Sequence, residues 1–436
     1  MKKKIEKTLI AVVLIILVVS VGYFFTKREG NTDKILSPAS LDILTLAKSV
    51  LSGKKVFLVL FQNNMELRPG GGFIGSFAIV RAEKGKVTSY EIHDTSNFDG
   101  RIPENNDMPE PMKKIFKINS WKFRDSNYSP DYPSNVQKAL DFYYQGKGEE
   151  KFDGVIAINA SVLENVLKFT GPIKLEKYPV SFESGSALLT LEKQVEIDFS
   201  KQGIDRGDRK DIMSDFLDEV LKKTLTLPKL DKVKLAESLM KDLTNKNLQL
   251  YFNNKEEQAL VEKLGWSGEV DKDWKDDYLM VVDANIGAYK SDYFIKRSMN
   301  YSLDLTKDVP EATLRITYNH TAKEKNWFAR NYLTYLRLYL PKGAVITNFS
   351  NNTEVSYGEE FNKKIGGSFI EVPINSNKTI EIKYNLPKEF KDKDYRLKIQ
   401  KQSGSGIVPT VVDVRLANGE NLHLDLNLDK DEIVAK

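Results

Sequence analysis

Apolar residues follow two different patterns along this 436-residue chain, and the pattern changes near residue 277. From about residue 41 to 276, short continuous apolar runs alternate with segments whose apolar residues have helical spacing. After Asp277, apolar and polar residues alternate in short runs between Gly, Pro and Asn turns. The first pattern predicts an α/β domain with a mixed sheet between helices, and the second an antiparallel β-sandwich of immunoglobulin-like kind.

Individual elements follow from the same patterns. Val56–Phe61 and Phe152–Ile158 are apolar enough to be strands covered on both faces. Ser134–Gln137 and Ser161–Glu164 fit the capping box that opens a helix, and residues 231–265 have a helical pattern. The second half contains seven predicted strands, at Ala312–His320, Tyr335–Leu340, Ser368–Pro373, Thr379–Tyr384, Tyr395–Gln400, Val411–Leu416 and Leu422–Leu426.

Composition excludes several classes of function. The chain has no cysteine, which rules out disulfides, zinc fingers, iron–sulfur clusters and thiol catalysis. Its three histidines lie far apart in sequence, so a histidine-rich zinc site is not expected. Residues 1–28 hold six basic and one acidic residue, and the remaining charges nearly cancel. We therefore expect no nucleic-acid partner.

The N-terminal residues indicate where in the cell the protein lies. Thr8–Phe25 is uncharged and dense in Val, Ile and Leu, close to the ~20 residues that span a bilayer. No small-residue cleavage site follows it, which predicts an uncleaved signal anchor within residues 1–28 and a juxtamembrane linker at 29–40. Four lysines precede the run and two basic residues follow it. The N-terminus is then cytoplasmic in a single-pass plasma-membrane protein, with the domains at 41–276 and 277–436 outside the cytoplasm.

The first candidate site follows the Val56–Phe61 strand. Gly70, Gly71 and Gly72 allow backbone N–H groups to converge on an anion, and Arg68 would add positive charge. A tight loop between two strands explains the same residues equally well.

The second candidate site is the aromatic and proline-rich segment 121–133. Arg124 could bind an anionic ligand and Asp125 a divalent cation, or the two could form an internal pair that fixes the loop. Asp94 and Arg101 lie after a predicted strand at Val87–His93, where α/β sheets bind ligands. Asp94 is a candidate metal ligand there, with turn capping as the alternative.

The third candidate site opens a helix predicted from about Asp208. Arg206 and Arg209 would share one face of that helix and form a diphosphate clamp at its N-terminus. Asp208 would cap the helix or hold Mg²⁺. Solvated charge at a helix start is the simpler alternative.

These segments carry a resemblance to a known family. Asn63–Ser76, Arg124–Pro133, Asp153–Pro172 and Val282–Tyr293 resemble domain-of-unknown-function family 4012, over about residues 55 to 415. The resemblance implies a bacterial membrane anchor followed by an exported domain, without an established biochemical role.

A more distant resemblance is to the LytR-CpsA-Psr phosphotransferases, which join glycopolymers to peptidoglycan. It rests on the order of Arg68, Asp94, the strand at Phe152–Ile158 and the Arg206–Arg209 pair. It implies a polyprenyl diphosphate held by arginines, with Mg²⁺ bound by aspartate. The Ser-x-Pro-Arg-Asp stretch typical of that family is not present at Asp94.

Two functions follow from the sequence. In the first, an envelope protein binds a phosphorylated polyprenyl-linked glycan, and Arg206, Arg209 and Asp208 could help to transfer it to a cell-wall polymer with Mg²⁺. In the second, a non-catalytic scaffold or adhesion protein contacts its partner through Tyr- and Trp-bearing faces of the β-sandwich. Whether the protein is an enzyme stays open at this point.

Overall fold

The computed structural model describes residues 37–116, 118, 120–205, 209, 211–350, 354–391 and 394–436. They form two compact units, each built from separate stretches of the chain. Unit 1 contains the described residues up to Gln62, together with Gly75–Phe98 and Gly148–Ser267. Unit 2 contains Asn63–Ile74, Asp99–Lys147 and Gly268–Lys436. The sequence pattern predicts residues 63–74 and 99–147 in the α/β domain, whereas the structure groups them with the C-terminal strands.

The α-helices of the described residues are, in chain order, α1 (Pro38–Val50), α2 (Thr95–Asp99), α3 (Glu110–Ile115), α4 (Tyr132–Gln145), α5 (Ser161–Thr170), α6 (Ala187–Lys193), α7 (Phe199–Lys201), α8 (Asp211–Thr226), α9 (Lys229–Thr244) and α10 (Lys255–Lys263).

The first strands are β1 (Lys54–Arg68), β2 (Gly71–Glu83), β3 (Lys86–Asp94), β4 (Gly154–Asn159), β5 (Ile173–Lys174), β6 (Ser181–Phe182) and β7 (Leu248–Phe252). The later strands are β8 (Asp277–Asn285), β9 (Ile295–Asp304), β10 (Glu311–His320), β11 (Tyr332–Pro341), β12 (Val345–Phe349), β13 (Val355–Glu360), β14 (Lys363–Val372), β15 (Asn377–Asn385), β16 (Arg396–Gln400), β17 (Val408–Arg415), β18 (Asn421–Leu428) and β19 (Glu432–Ala435).

Unit 1 is a mixed α/β structure. Its five-stranded sheet has the order β3-β2-β1-β4-β7, in which β1 and β4 are parallel while β2–β3 and β4–β7 are antiparallel. The apolar centre of β1, from Phe57 to Leu60, is fully buried, as expected for a strand covered on both faces. Residues 231–265 do not form one helical segment, because β7 interrupts α9 and α10.

Two predicted capping boxes are replaced by other contacts. The N-cap of α4 is Asp131, whose side chain accepts hydrogen bonds from the Ser134 N–H and hydroxyl. α5 begins at Ser161 without a side-chain cap. Its Glu164 instead accepts hydrogen bonds from the backbone N–H groups of Gly185 and Leu188. Glu164 therefore fixes the segment before α6 rather than its own helix end.

Unit 2 contains two six-stranded sheets, with the orders β12-β15-β10-β9-β17-β18 and β13-β14-β11-β8-β16-β19. Inward side chains of both sheets, such as Leu314, Leu338 and Ile382, share one apolar core. The prediction of a wholly antiparallel sandwich was wrong, since β16 runs parallel to β8 and β17 runs parallel to β9. Each parallel pair joins strands far apart in sequence, and local alternation does not encode such pairings.

The prediction of a transmembrane helix that acts as a signal anchor also needs correction. Throughout the part of the chain that the structure describes, every helix is too short or too polar to cross a bilayer. The predicted span Thr8–Phe25 lies outside the described residues. The described residues thus form a mixed α/β unit and a β-rich unit.

Candidate functional site

Arg68 is buried in a network of ion pairs within unit 2. Its Nε donates to Asp125 Oδ1 over 2.9 Å, and its Nη2 donates to Glu66 Oε1 over 2.8 Å. Its Nη1 donates to the Asn285 carbonyl over 2.6 Å. Burial by itself lowers the pKa of Arg68, but the charges of Glu66 and Asp125 outweigh burial and raise it. A phosphate could reach this guanidinium only by displacing its present acceptors, so the geometry fits a structural role.

The three glycines allow close backbone contacts. The Gly70 N–H donates to the Asn127 carbonyl over 3.0 Å, and Asn127 Nδ2 donates to the Gly72 carbonyl over 2.7 Å. A Cβ on Gly72 would lie 2.1 Å from the backbone carbon of Asn63. The tight-loop interpretation therefore accounts for Gly70 and Gly72, while Gly71 has the positive φ of 134°.

The structure pairs Arg124 with a different aspartate from its neighbour in sequence. Its Nε donates to Asp99 Oδ2, and Asp99 is buried. Burial raises the pKa of Asp99, while the Arg124 charge opposes that shift. Asp125, the proposed metal ligand, instead faces Arg68. Arg101 is exposed.

The remaining predicted residues belong to unit 1 or lie outside the described residues. Asp94 Oδ1 accepts a hydrogen bond from the Ser96 N–H over 2.7 Å, at the start of α2. Arg209 Nη1 lies 3.8 Å from Glu196 Oε2 in an ion pair. It precedes α8, which begins at Asp211, so the expectation that Arg209 lies on that helix was wrong. Arg206 and Asp208 lie outside the described residues.

No metal site emerges from the described side chains. Within them, no group of three His, Asp or Glu residues is arranged to hold a metal ion. Asp94 and Asp125 are engaged in the contacts above, and Asp208 lies outside the described residues. Mg²⁺ stays a prediction of the sequence.

Unit 2 also carries a cluster of exposed aromatic rings, which we call the aromatic rim and define as Tyr289, Tyr293 and Trp327. These side chains are 38–43% exposed. Tyr293 and Trp327 both rest on the buried Phe328, with ring centroids 5.6 and 5.1 Å from it. The Arg330 guanidinium lies 5.4 Å from the Tyr289 ring centroid. Exposed rings on a buried ring offer flat contact surfaces that solvent can reach.

Hydrogen bonds hold the loop that presents Trp327. Asn326 Oδ1 accepts from the N–H groups of Phe328 and Ala329, each over 2.8 Å. The buried His320 ring donates from Nε2 to the Arg330 carbonyl over 2.8 Å and accepts at Nδ1 from the Ala322 N–H. The loop backbone is tied at its tip and at its base, which lowers the cost of ordering the loop when a ligand binds.

Sequence reasoning did not assign these aromatic residues to a site. Tyr293 ends one of the segments that carry the family resemblance, and Trp327 lies in a loop between two predicted strands. Connecting loops lie on the surface of a β-sandwich, so aromatic residues in such loops are the sequence feature that indicates an exposed binding site. Which of them are exposed depends on the packing around Phe328.

Comparison with known proteins finds one family model that is similar to part of the chain. The model of the family described as "Protein of unknown function (DUF4012)" matches residues 52–195. The resemblance to that family is thus confirmed over this segment, which includes Arg68, the three glycines and Arg124. No curated protein matches the sequence.

Two solved structures show a weak likeness. Protein gbs0355 from Streptococcus agalactiae is 15% identical, with a TM-score of 0.31, and the match covers 51% of this chain and 76% of that one. Lin1025 from Listeria innocua is 14% identical, with a TM-score of 0.25, and the match covers 49% and 78%. Likeness at this level supports no argument about function, and the resemblance to the LytR-CpsA-Psr phosphotransferases stays a prediction.

Proposed function

We propose that the protein is a non-catalytic binding protein of the cell envelope, which holds a cell-wall glycan polymer on the aromatic rim. The observation that carries the proposal is the set of exposed, supported rings of Tyr289, Tyr293 and Trp327. Sugar rings have apolar C–H faces and polar edges. Flat aromatic side chains bind such faces by burying apolar area, while neighbouring polar groups contact the hydroxyls.

The polar residues among the rings favour a glycan over a folded protein partner. Large contiguous apolar patches on a surface often mark protein interfaces. In the sequence, polar and charged residues flank the exposed rings, such as Lys290 between the tyrosines and Asn326 beside Trp327. Tyr293 and Trp327 both rest on Phe328, which suits an extended chain whose neighbouring sugar units each meet one ring.

The contacts of the predicted phosphate-binding arginines favour a binding role over group transfer. Arg68 and Arg124 have buried carboxylate partners. Using either of them for catalysis would leave a buried carboxylate unpaired, at a cost of about 3–5 kcal/mol. The proposed protein therefore binds the glycan outside the cytoplasm and does not transfer it.

The test measures binding of the full-length chain to purified, soluble cell-wall polysaccharide by affinity electrophoresis. We expect Trp327→Ala and Tyr293→Ala each to weaken binding about tenfold, because each removes a stacking surface. Tyr357→Ala is the matched control, since Tyr357 is an exposed aromatic residue on β13, outside the aromatic rim. Equal binding by the Trp327→Ala and wild-type chains, or the absence of binding by the wild type, would overturn the proposal.

A further inference from the structure

We propose that the polymer bound by the aromatic rim is a polyanion, a glycan whose repeating units carry phosphate or carboxylate groups. This inference rests on the proposed function and adds the chemical class of its ligand. It starts from the charged residues in the two loops that hold the rings.

Basic residues predominate in these loops. Lys290, Lys323, Lys325 and Arg330 lie in them. Glu324 is the acidic residue beside the lysines, and Asp292 beside Tyr293 is buried in an ion pair with Arg297 of β9. Lys323, Lys325 and Glu324 are all exposed. Lys296 is also exposed, two residues beyond the short helix Ser291–Phe294 that carries Tyr293. Because charges outside the N-terminal 28 residues nearly cancel, this local excess of positive charge differs from the rest of the chain.

The positive charge adjoins the rings. Lys325 is two residues from Trp327, so their Cα atoms lie within about 7 Å of each other. The Arg330 guanidinium lies over Tyr289 and donates hydrogen bonds to the Asn326 and Ala329 carbonyls. A sugar stacked on Trp327 would therefore place a phosphate or carboxylate substituent within reach of Lys325. Such an arrangement attracts polyanions through screened Coulomb forces.

Single-stranded nucleic acid is the other polyanion that suits aromatic rings with basic neighbours. Single-strand binding grooves track the backbone with a continuous positive charge. Here Glu324 lies between Lys323 and Lys325, and the rings stand on two separate loops. These features favour a glycan with spaced charges, and the nucleic acid becomes an arm of the test.

The experiment compares two polymers with the same sugar backbone, polygalacturonate and its fully methyl-esterified form. We expect the full-length chain to bind polygalacturonate about tenfold more tightly in 50 mM salt, with the preference shrinking as salt screens the charges. The double variant Lys323→Gln/Lys325→Gln should lose most of this preference and still bind the methyl ester. The control Lys342→Gln/Lys388→Gln removes two exposed lysines elsewhere in unit 2 and should behave as wild type.

Three other outcomes would contradict the inference. Equal binding of both polymers, abolished by Trp327→Ala, would overturn the polyanion inference and leave the proposed function standing. Tighter binding of a single-stranded RNA oligonucleotide than of polygalacturonate at equal salt would overturn it in favour of nucleic acid. A polyanion preference unchanged in the Lys323→Gln/Lys325→Gln variant would overturn the assignment to these loops.

Discussion

Arg68 Nε and Asp125 Oδ1 lie 2.9 Å apart in a buried ion pair. The pair joins the end of β1 to the turn at Phe123–Asp125, and both residues belong to unit 2. The indole Nε1–H of Trp121 donates to the backbone carbonyl of the same Asp125 over 2.8 Å. Two residues that the sequence suggested as separate ligands for phosphate and metal thus bind each other.

Removing the carboxylate should destabilise unit 2. Asp125→Ala leaves the buried Arg68 cation with Glu66 as its one carboxylate partner among the described residues, and we expect a loss of about 3 kcal/mol in the free energy of unfolding. Urea unfolding followed by tryptophan fluorescence measures this loss. Asp107→Ala is the control, because Asp107 forms an exposed ion pair with Lys113. Equal unfolding midpoints for the two variants would contradict a structural role for Arg68.

Gly72→Ala should be poorly tolerated. A Cβ there would lie 2.1–2.4 Å from backbone atoms of Asn63 and Asn64, which cannot move as a flexible side chain would. We expect a loss of about 3 kcal/mol in stability, measured by thermal unfolding. Gly75→Ala is the matched control, because its Cβ would have no neighbour within 4 Å. A Gly72→Ala chain as stable as the Gly75→Ala chain would contradict the close contact.

Asp277 should make stability depend on pH. Its buried Oδ2 accepts hydrogen bonds from the hydroxyls of Tyr301 and Tyr395 over 2.6 and 2.8 Å. Burial nevertheless raises the pKa of Asp277 from 3.8 to about 6. The folded protein therefore holds this proton more tightly than the unfolded chain. The protonated Asp277 carboxyl contributes about 3 kcal/mol to the free energy of unfolding. This contribution is complete below about pH 4 and is lost as the pH rises through about 6.

The variant Asp277→Asn isolates this effect, because its side chain stays neutral at every pH. Chemical unfolding of both proteins at pH 4 and pH 7 gives the difference in their free energies of unfolding. We expect this difference to move in favour of the variant by about 3 kcal/mol between pH 4 and pH 7. Other titrating groups are common to both proteins and cancel. The same difference at both pH values would show that the pKa of Asp277 is not raised.

Asn326→Ala should weaken polymer binding more than it weakens folding. The variant loses the two hydrogen bonds from the Phe328 and Ala329 N–H groups, so the Trp327 loop must be ordered when the polymer binds. We expect about fivefold weaker binding in affinity electrophoresis, with about 1 kcal/mol or less lost in unfolding. Asn418→Ala, which removes a similar bond to the Glu420 N–H in an exposed turn, should bind as wild type. Equal binding of both variants would contradict a preordered loop.

The sequence determined the kinds of local structure in each half. Continuous burial of Phe57–Leu60 in β1 agrees with the predicted strand at Val56–Phe61, and alternation along β10 agrees with its buried face. The spacing of apolar residues and their density indicate which face of a helix or strand is buried. Both are visible in a short stretch of sequence. Family motifs were equally readable, and the family model confirms them over residues 52–195.

The tertiary structure decided which elements pair and how charged side chains are used. The parallel pairings of β8 with β16 and of β9 with β17 join strands far apart in sequence. Arg68 could have faced a ligand or a carboxylate, and only the approach of Asp125, 57 positions away, placed it in an ion pair. A charged group's partner is set by distance in three dimensions. The local sequence fixes how a residue can interact, whereas the folded chain fixes the groups that come close enough to do so.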